Sequence, residues 1–399
     1  MYFYNTYYLP LNTYHLIMHK LVAKILRKFA DWVLGANNPK IIAITGSVGK
    51  TSTKDAIFAV LQKKFGKNVW KSYGNLNTDL GLPLAILKFK DTPYGWQWAP
   101  AMIAVFFKAC YFKVFKKYPE ILVLEYGADR PKDIKYLTQI AKPDVAVITS
   151  VGPAHLEEFK TIDNVAKEKI TLAKELNPDG VAVLNEDNEY IKKEAKKVYF
   201  EIVWYHGDGL DGAKNAAYAV AKLFKISENT IRDALEGFIG AKGRLKLIEG
   251  INNSLVLDDT YNSNPLSVKL ALEKIRQLKG ENQKIKRTII VLGDMLELGE
   301  QSDKLHKEVA ALSKKSAKIL ILVGKRFEGM KCDQWFLGPI ETDEYLEKII
   351  KKGDLVLIKG SQGMRMEKVT EKIIDKKIDP KNVLVRQSNE WKNIVFRQP

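Results

Sequence analysis

Short runs of apolar, largely β-branched residues recur along this chain, and each is followed by residues with helical periodicity. Such alternation is typical of βαβ units built around a parallel sheet. The runs of the first half are residues 41–45, 121–126, 145–149 and 181–184. Those of the second half are residues 255–258, 288–292, 319–323 and 355–359. The pattern predicts two α/β domains, joined near residues 239–244.

A glycine-rich loop follows the first run and precedes a helical pattern over residues 52–63. Glycines let backbone N–H groups approach phosphate oxygens, and a helix N-terminus adds positive potential. Lys50 is placed to reach the terminal phosphates and Thr51 to bind Mg²⁺. Ile44 stands where the general P-loop has its first glycine. The alternative is a glycine-rich turn with a chance lysine. The predicted phosphate-binding residues are Gly46, Ser47, Val48, Gly49, Lys50, Thr51 and Ser52.

Two polar side chains follow strand ends, where open parallel sheets gather their ligand sites. Glu125 ends an apolar run and suits a magnesium ligand, the alternative being a solvated carboxylate. His155 follows another run in the sequence GPAH. On the residues alone, His155 is more often a structural histidine than a metal ligand.

Composition excludes several classes of protein. The chain has 399 residues and 46% hydrophobic content, enough for packed cores. Two distant cysteines, Cys110 and Cys332, argue against a disulfide framework or a thiolate zinc site. Residues 1–11 lack the features of a secretory signal, so a cytoplasmic location is expected. The formal charge of +17 favours anionic partners, but no nucleic-acid-binding motif accompanies it, and no nucleic-acid partner is expected.

Two segments stand outside the βαβ scheme. Residues 1–39 are aromatic and then amphipathic and basic, and an aromatic, basic insertion occupies about 92–118. Pro100, Lys108 and Lys113 interrupt the insertion, so it lacks the roughly 20 uninterrupted apolar residues of a spanning helix. Aromatic rings flanked by lysines suit peripheral contact with an anionic membrane. Packing on the protein's own surface explains both segments equally well.

The sequence ITGSVGKTSTK resembles the TGxxGKTxxK loop of the Mur ligase superfamily, and further motifs follow in that family's order from about residue 40 to the end. The tyrosine-asparagine-proline block and the GDMLELGE block are most similar to the MurF-like branch, which adds D-alanyl-D-alanine to a muramoyl tripeptide. The further motifs are GNLNTDLGLPL (74–84), EYGADRPKDI (125–134), ITSVGPAHLEEF (148–159), VAKEK (165–169), GR (243–244), DDTYNSNP (258–265), LGDMLELGEQS (292–302) and KGSQGMRME (359–367).

The resemblance implies an α/β fold with a P-loop parallel-sheet central domain over residues 40–240 and a C-terminal Rossmann-like domain over residues 241–399. Residues 1–39 remain as a short N-terminal amphipathic segment. The family's UDP-binding first domain is much longer than this segment, which leaves open whether the acceptor is UDP-linked or lipid-linked. Gln362 stands where the family's C-terminal motif usually has arginine.

The activity implied by the resemblance is that of an ATP-dependent, ADP-forming carbon–nitrogen ligase of peptidoglycan precursor synthesis, acting through an acyl phosphate. Its substrates would be a muramoyl peptide and an amine or dipeptide, and a monomer is expected. One alternative is a Mur-like amidating subunit fed with ammonia by a glutaminase partner. Another is a catalytically silent membrane-surface scaffold.

The resemblance also assigns metal ligands. It implies that Thr51 and Glu125 hold the nucleotide-bound Mg²⁺ and that His155 binds a second Mg²⁺. Lys169 matches the lysine that Mur ligases carbamylate to make a further magnesium ligand. Lys167 is the alternative if the register is shifted, and Thr171 replaces the family's acidic residue.

Further nucleotide contacts are implied for the second domain. Arg244 would reach the γ-phosphate when the domains close, Asp259 would bind the ribose, and Asn262 would lie near the base. Asn215 of the central domain resembles the family's adenine-contacting asparagine. The structural alternatives for these four residues are helix caps, turns and surface charge.

Overall fold

The computed structural model describes residues 13–392 of the chain. The interpretation of residues 1–12 as an aromatic segment lies outside this range. Within it, two compact units form, one of residues up to 151 together with 166–238, the other of 152–165 together with the residues from 239 onward. Each unit contains a six-stranded sheet. The predicted α/β fold class is confirmed.

The strands lie in two series, β1–β6 before residue 206 and β7–β12 after residue 245. In chain order they are β1 (Lys40–Thr45), β2 (Val69–Lys71), β3 (Ile121–Glu125), β4 (Val145–Ile148), β5 (Val181–Asn185), β6 (Glu201–Tyr205), β7 (Lys246–Gly250), β8 (Ser254–Asp259), β9 (Arg287–Gly293), β10 (Ile319–Val323), β11 (Gln334–Phe336) and β12 (Asp354–Lys359).

Helices precede, separate and follow these strands. In chain order they are α1 (Thr13–Asn37), α2 (Lys50–Phe65), α3 (Gly81–Ile86), α4 (Trp98–Phe115), α5 (Asp133–Ile140), α6 (Leu156–Phe159), α7 (Ile162–Lys174), α8 (Glu189–Ala195), α9 (Gly209–Leu223), α10 (Glu228–Leu235), α11 (Pro265–Glu281), α12 (Ser302–Ser316), α13 (Pro339–Ile349), α14 (Glu367–Ile373), α15 (Pro380–Val383) and α16 (Asn389–Lys392).

The sheet of the first unit is parallel throughout, with strand order β2-β3-β1-β4-β5-β6. The central strand β1 is buried along nearly its whole length, as expected for a parallel strand covered on both faces. Ile42 and Ile44 face a core that includes Ile57 and Val60 of α2 and Val220 of α9. Because the chain leaves β1 toward one side and later returns to the other, the carboxyl edge beside β1 is a topological switch point.

The sheet of the second unit has the order β11-β10-β9-β12-β8-β7. Its strands are parallel except for β7, which runs antiparallel to β8. Val291, Val356 and Ile358 enter a core with Leu346 of α13 and Val369 of α14. An antiparallel edge strand on an otherwise parallel sheet is common in α/β folds.

The structure contains strands that the sequence pattern did not predict, namely β2, β6, β7 and β11. Each lies at or next to a sheet edge, and β2 and β11 have three residues each. Short edge strands bury few side chains and therefore leave a weak apolar signal. The chain passes from the first unit to the second at residues 238–239, and residues 152–165 also group with the second unit.

The amphipathic segment before β1 is a helix that packs within the first unit. α1 buries Ala23, Leu26, Ala30 and Val33, which recur at the spacing of one helical face. Arg27 of α1 donates a hydrogen bond from Nη2 to the Gln139 carbonyl at 3.3 Å. The helix is therefore an integral part of this unit.

The insertion helix α4 also packs against the first unit, through one face. Val105, Ala109 and Phe112 are buried there, and the Asn37 side chain of α1 donates to the Phe112 carbonyl at 3.2 Å. The opposite face is exposed, including Phe107. Only one of its faces therefore holds α4 in place.

This asymmetry predicts that truncating two phenylalanines of α4 changes the stability by very different amounts. Phe112→Ala should lower the free energy of unfolding by about 3 kcal/mol, because it removes a buried ring whose space the core cannot fully close. Phe107→Ala should change it by less than about 0.5 kcal/mol, because its ring is 65% exposed. Urea unfolding followed by circular dichroism measures both. Equal losses of unfolding free energy in the two variants would contradict the packing of α4.

Candidate nucleotide and ligase site

The predicted phosphate loop lies between β1 and α2, at the switch point of the first unit. Gly49 precedes the first turn of α2 with φ 88°, a conformation that glycine adopts without strain. A Cβ on Gly46 would lie 2.0 Å from Thr149 Oγ1, so only glycine fits this close approach. The two glycines therefore bring the loop tightly against the sheet.

The end of β4 fixes the loop from the other side. Ser47 N donates to the Ser150 carbonyl at 2.8 Å, and Val48 N donates to Ser150 Oγ at 3.0 Å. Thr149 Oγ1 donates to the Val48 carbonyl at 2.6 Å. These contacts hold the loop in one conformation at the N-terminus of a helix, the place where backbone N–H groups bind phosphate.

Lys50, Thr51 and Glu125 are brought together at the carboxyl ends of β1 and β3. The Lys50 ammonium donates to the Gly46 carbonyl at 2.8 Å and so lies over the loop. Thr51 Oγ1 donates to Glu125 Oε2 at 3.0 Å. Glu125 is 3% exposed. A hydroxyl and a carboxylate are hard oxygen donors of the kind Mg²⁺ prefers, so these two residues fit a magnesium ion at the phosphate loop.

Two further residues hold the Glu125 carboxylate. Asn77 Nδ2 donates to Glu125 Oε1 at 3.0 Å, and the buried Lys54 ammonium lies 3.7 Å from Oε2. Asn77 also accepts from Gly127 N at 2.8 Å through its backbone carbonyl. The carboxylate therefore has both a hydrogen-bond donor and a cation beside it, which lowers the cost of burying its charge.

Lys169 is buried in α7 within the first unit, whereas Lys167 is exposed. The Lys169 ammonium donates to the Ala128 carbonyl at 3.2 Å. Desolvation by burial and the nearby Lys50 charge lower the pKa of Lys169 to about 7, although Asp129 and Glu168 act in the opposite sense. At neutral pH a large share of this amine is uncharged, and only the uncharged amine is a nucleophile.

Glu168, the neighbour of Lys169, serves a structural purpose. Its carboxylate accepts from Lys132 N and Ile134 N, both at 2.8 Å, at the start of α5. A carboxylate at a helix N-terminus satisfies N–H groups that lack partners within the helix. This contact helps fix α7, and with it Lys169, beside the loop that follows β3.

Asn215 lies on α9, close to β6, which is an edge strand of the first sheet. Its side chain donates to the His206 carbonyl at 2.9 Å, in the turn after β6. Asn185, at the end of β5, donates to the carbonyls of Thr149 and Gly207, each at 3.0 Å. Asn215 and Asn185 thus brace the loops at the carboxyl edge.

His155 lies in the second unit, just before α6, with φ 52°. Its Nδ1 is 2.8 Å from Glu297 Oε2, a residue of the GDMLELGE motif. Burial opposes ionisation of Glu297, but the hydrogen bond and charge of His155 outweigh it and lower the pKa of Glu297. The predicted metal ligand is therefore paired with a carboxylate of its own unit.

The remaining predicted residues cluster at the carboxyl end of β8 in the second unit. The Lys359 ammonium donates to Asp259 Oδ2 at 2.6 Å and to the Asn262 carbonyl at 2.9 Å. The guanidinium carbon of Arg244 lies 4.1 Å from the centre of the Tyr261 ring, a cation–π contact. Arg244, before β7, and Asp259 and Asn262, at and after the end of β8, therefore lie at the same end of the β7–β8 strand pair.

Comparison with known proteins agrees with this arrangement. Residues 44–97 and 104–232 match the Mur ligase middle domain, and residues 243–362 match the Mur ligase, glutamate ligase domain. The chain belongs to the Mur ligase family. The first match is interrupted at the start of α4.

Relatives of this Mur ligase carry a specific name. The UDP-N-acetylmuramoyl-tripeptide–D-alanyl-D-alanine ligase of Bacillus subtilis is 29% identical over 88% of this chain and 79% of its own length. MurF from Thermotoga maritima, solved in complex with ADP, is 27% identical with a TM-score of 0.72, covering 88% of this chain and 83% of that one. MurF from Acinetobacter baumannii is 26% identical with a TM-score of 0.71, and the match covers 87% of this chain and 79% of that one.

Several residues of this Mur ligase site were not singled out from the sequence. They all lie inside motifs that the sequence analysis quoted, so position within a motif was the available signal. What the sequence could not supply was the partner of each side chain. These residues are Lys54, Asn77, Thr149, Ser150 and Lys359.

Lys169 predicts a pH dependence of stability. Its pKa is about 7 in the folded chain against an ordinary value of 10.5, so between these values the unfolded chain binds one more proton. Stability from this group should therefore rise with pH by about 1 kcal/mol per unit above pH 7. Lys169→Met should remove that slope, as measured by urea unfolding at several pH values in buffer free of carbon dioxide. Lys167→Met, at the exposed neighbour, is the control and should keep the slope. A slope unchanged in Lys169→Met would contradict the shifted pKa.

Proposed function

We propose that this Mur ligase forms an amide bond in peptidoglycan precursor synthesis with ATP as the energy source and ADP as a product. The acceptor is a muramoyl peptide, and the amine is D-alanyl-D-alanine or a related compound. The proposal rests above all on the phosphate loop, where Lys50 lies over the loop and Thr51 is bonded to a buried Glu125. The names and ADP complex of the relatives support it.

The reaction requires activation of a carboxylate, because oxide is a poor leaving group. In the proposed route a carboxylate oxygen of the acceptor attacks the γ-phosphorus of ATP, and ADP leaves. The amine then attacks the carbonyl carbon of the acyl phosphate, loses a proton, and inorganic phosphate departs. The net change is ATP plus acid plus amine to ADP, phosphate and amide.

The first unit supplies most of the groups for the phosphoryl step. The backbone N–H groups of the loop and the Lys50 ammonium would hold the phosphates, because transfer between two anions needs concentrated positive charge. Thr51 and Glu125 would hold a magnesium ion, which when bound neutralises charge on the β- and γ-phosphates. Asn77 and Lys54 position the Glu125 carboxylate for that task.

We further propose that Lys169 is carbamylated. Its amine is buried and has a pKa lowered to about 7 by desolvation and by Lys50, which favours the neutral form that attacks carbon dioxide. The new N–C bond converts the neutral amine into a carboxylate-like anion and releases one proton. The exposed Lys167 has no comparable surroundings.

Other assignments stay predictions made from family resemblance. They are the contacts of Arg244 with the γ-phosphate, of Asp259 with ribose, and of Asn262 and Asn215 with the base, together with a second Mg²⁺ on His155. The monomeric state, the cytoplasmic location and the choice between a UDP-linked and a lipid-linked acceptor are also predictions.

Phosphate release tests the proposed activity. Purified protein should release phosphate only when ATP, a muramoyl peptide and the correct amine are all present. The panel pairs UDP-linked and lipid-linked muramoyl peptides with D-alanyl-D-alanine, single amino acids and ammonia. Lys50→Ala should reduce the rate by about 100-fold or more, because it removes a cation from the transferring phosphate. Lys63→Ala, an exposed lysine of the same helix, should leave it unchanged.

Unchanged phosphate release in Lys50→Ala with the active substrate pair would refute the mechanism. If phosphate is released when ammonia is the amine, and is not released with any amino acid or dipeptide, the protein is instead an amidating enzyme. No release with any pair, despite ATP binding, would favour a silent nucleotide-binding protein.

Carbamylation has a direct spectroscopic test. Protein equilibrated with ¹³C-bicarbonate should show a carbamate carbon resonance by NMR above pH 7, where the amine of Lys169 is mostly neutral. Lys169→Met should lose that resonance, and Lys167→Met should keep it. If Lys167→Met loses the resonance and Lys169→Met keeps it, the carbamate is on Lys167. A resonance in both variants would contradict both assignments.

A further inference from the structure

Helix α4 is apolar on all its sides, although only one side is packed against the protein. Its buried residues are Val105, Ala109 and Phe112, which lie on a single face. The polar head of Lys108 also turns to the protein, donating to the Lys88 carbonyl at 3.0 Å and lying 4.1 Å from the centre of the Phe89 ring. The outward face is therefore left without a charge at its middle.

That outward face is a continuous stripe at helical spacing, i, i+3, i+4, i+7 and beyond. Trp96, just before the helix, is 82% exposed, and Val114 near its end is 70% exposed. Large apolar side chains grouped in this way on a surface mark a binding site, whereas scattered ones do not. The exposed members of the stripe are Ile103, Phe106, Phe107, Tyr111, Val114 and Phe115.

Helix α1 extends the stripe. Phe29 of α1 contacts Phe106 of α4 edge to face, with ring centres 6.1 Å apart, and Trp32 contacts Phe29 at 5.2 Å. Trp32, Met18 and Leu21 are exposed, and helical spacing places them on the side of α1 that carries Phe29. We call the exposed apolar residues named above on α1 and α4, together with Trp96, the α1–α4 face.

Basic residues border this face. Lys20, Lys24 and Lys28 form an exposed stripe on α1 next to its apolar side. Lys116 and Lys117 follow the end of α4 and are exposed. Between Asp91 and Glu120 the chain has no acidic residue. Asp31 of α1 is also exposed, but the five lysines leave the border with a net positive charge.

We propose that the α1–α4 face docks this protein on the surface of an anionic lipid bilayer. The apolar stripe would enter the boundary between headgroups and acyl chains, and the bordering lysines would meet anionic headgroups. Tryptophan and tyrosine at the stripe suit the same interface.

By length and composition the stretch Gly95–Phe115 qualifies as a candidate membrane span. Its packing argues for lying on the membrane instead. Val105 and Ala109 are fully buried against the unit, and Lys108 is bonded to Lys88 in the loop after α3. A helix held along its length by its own domain can offer only its outer face to lipid.

Vesicle flotation tests the proposal with the full-length protein. It should float with vesicles of phosphatidylcholine and phosphatidylglycerol, and more weakly with phosphatidylcholine alone. Binding to the anionic vesicles should weaken as salt is raised, because salt screens the lysines. Lys50→Ala should float like the wild-type protein, so the result does not depend on the proposed catalytic activity. A protein that stays soluble with both vesicle types would overturn the proposal.

The apolar contribution is tested by Phe107→Glu and Val114→Glu. Each should lower partitioning to anionic vesicles about tenfold or more, because a charge replaces a side chain that enters the bilayer. Ile340→Glu on α13 is the matched control, since Ile340 is 68% exposed and lies in the other unit. It should not change partitioning. An equal loss in Ile340→Glu would contradict docking through the α1–α4 face.

The basic contribution is tested by the double variant Lys116→Gln and Lys117→Gln. Partitioning to anionic vesicles should fall roughly 25-fold, about fivefold for each lysine. Lys351→Gln with Lys352→Gln, an exposed lysine pair of the second unit, should leave it nearly unchanged.

A second copy of the chain is the other occupant that the same experiments detect. Sedimentation without lipid should show one species that Phe107→Glu does not alter. An oligomer that Phe107→Glu dissociates, together with no flotation, would show that the α1–α4 face binds protein and would overturn membrane docking.

Discussion

The carboxylate of Glu125 is a buried charge, and its compensation organises the first unit. A carboxylate that is 3% exposed is costly unless hydrogen bonds and cations surround it. Thr51 and Lys54 come from the helix after the phosphate loop, and Asn77 comes from the loop before α3. One side chain therefore fixes the relative positions of the phosphate loop and two neighbouring strands. The Glu125 carboxylate and the Thr51 hydroxyl, which meet here, are oxygen donors that suit a magnesium ion.

The phosphate loop could be predicted from the sequence because its determinants are local. Gly46 and Gly49 are needed for backbone reasons, and Lys50 and Thr51 are the first residues of the helix that follows. Long buried strands such as β1 and β12 were also predictable, since burial on both faces gives an uninterrupted apolar run. The edge strands β2 and β11 were not, because three residues at an edge carry little pattern.

Contacts between distant residues were beyond the sequence. The choice between Lys167 and Lys169 depends on which side of α7 faces the loop after β3, and the structure buries Lys169. His155, a predicted metal ligand, contacts Glu297, which lies more than a hundred residues later in the chain. Both motifs were visible separately, but no local pattern indicates that they meet. In α4, apolar residues on every side left packing and lipid binding equally open, and the structure shows that its two faces differ.

The C-terminal end of α4 lies away from the nucleotide site. The last turn of α4 is followed within a few residues by β3, so it must lie near the amino edge of the sheet. Glu125 ends β3 and lies at the carboxyl edge, about 13 Å from Ile121 along the strand direction. The lysines after α4 therefore border a part of the first unit away from the phosphate loop. The start of α1, in contrast, reaches the loop that carries Asn77, since His19 Nδ1 lies 3.6 Å from Asp79 Oδ2. Contact of the C-terminal end of α4 with a bilayer would therefore leave the phosphate loop uncovered, whereas the start of α1 lies closer to the nucleotide site.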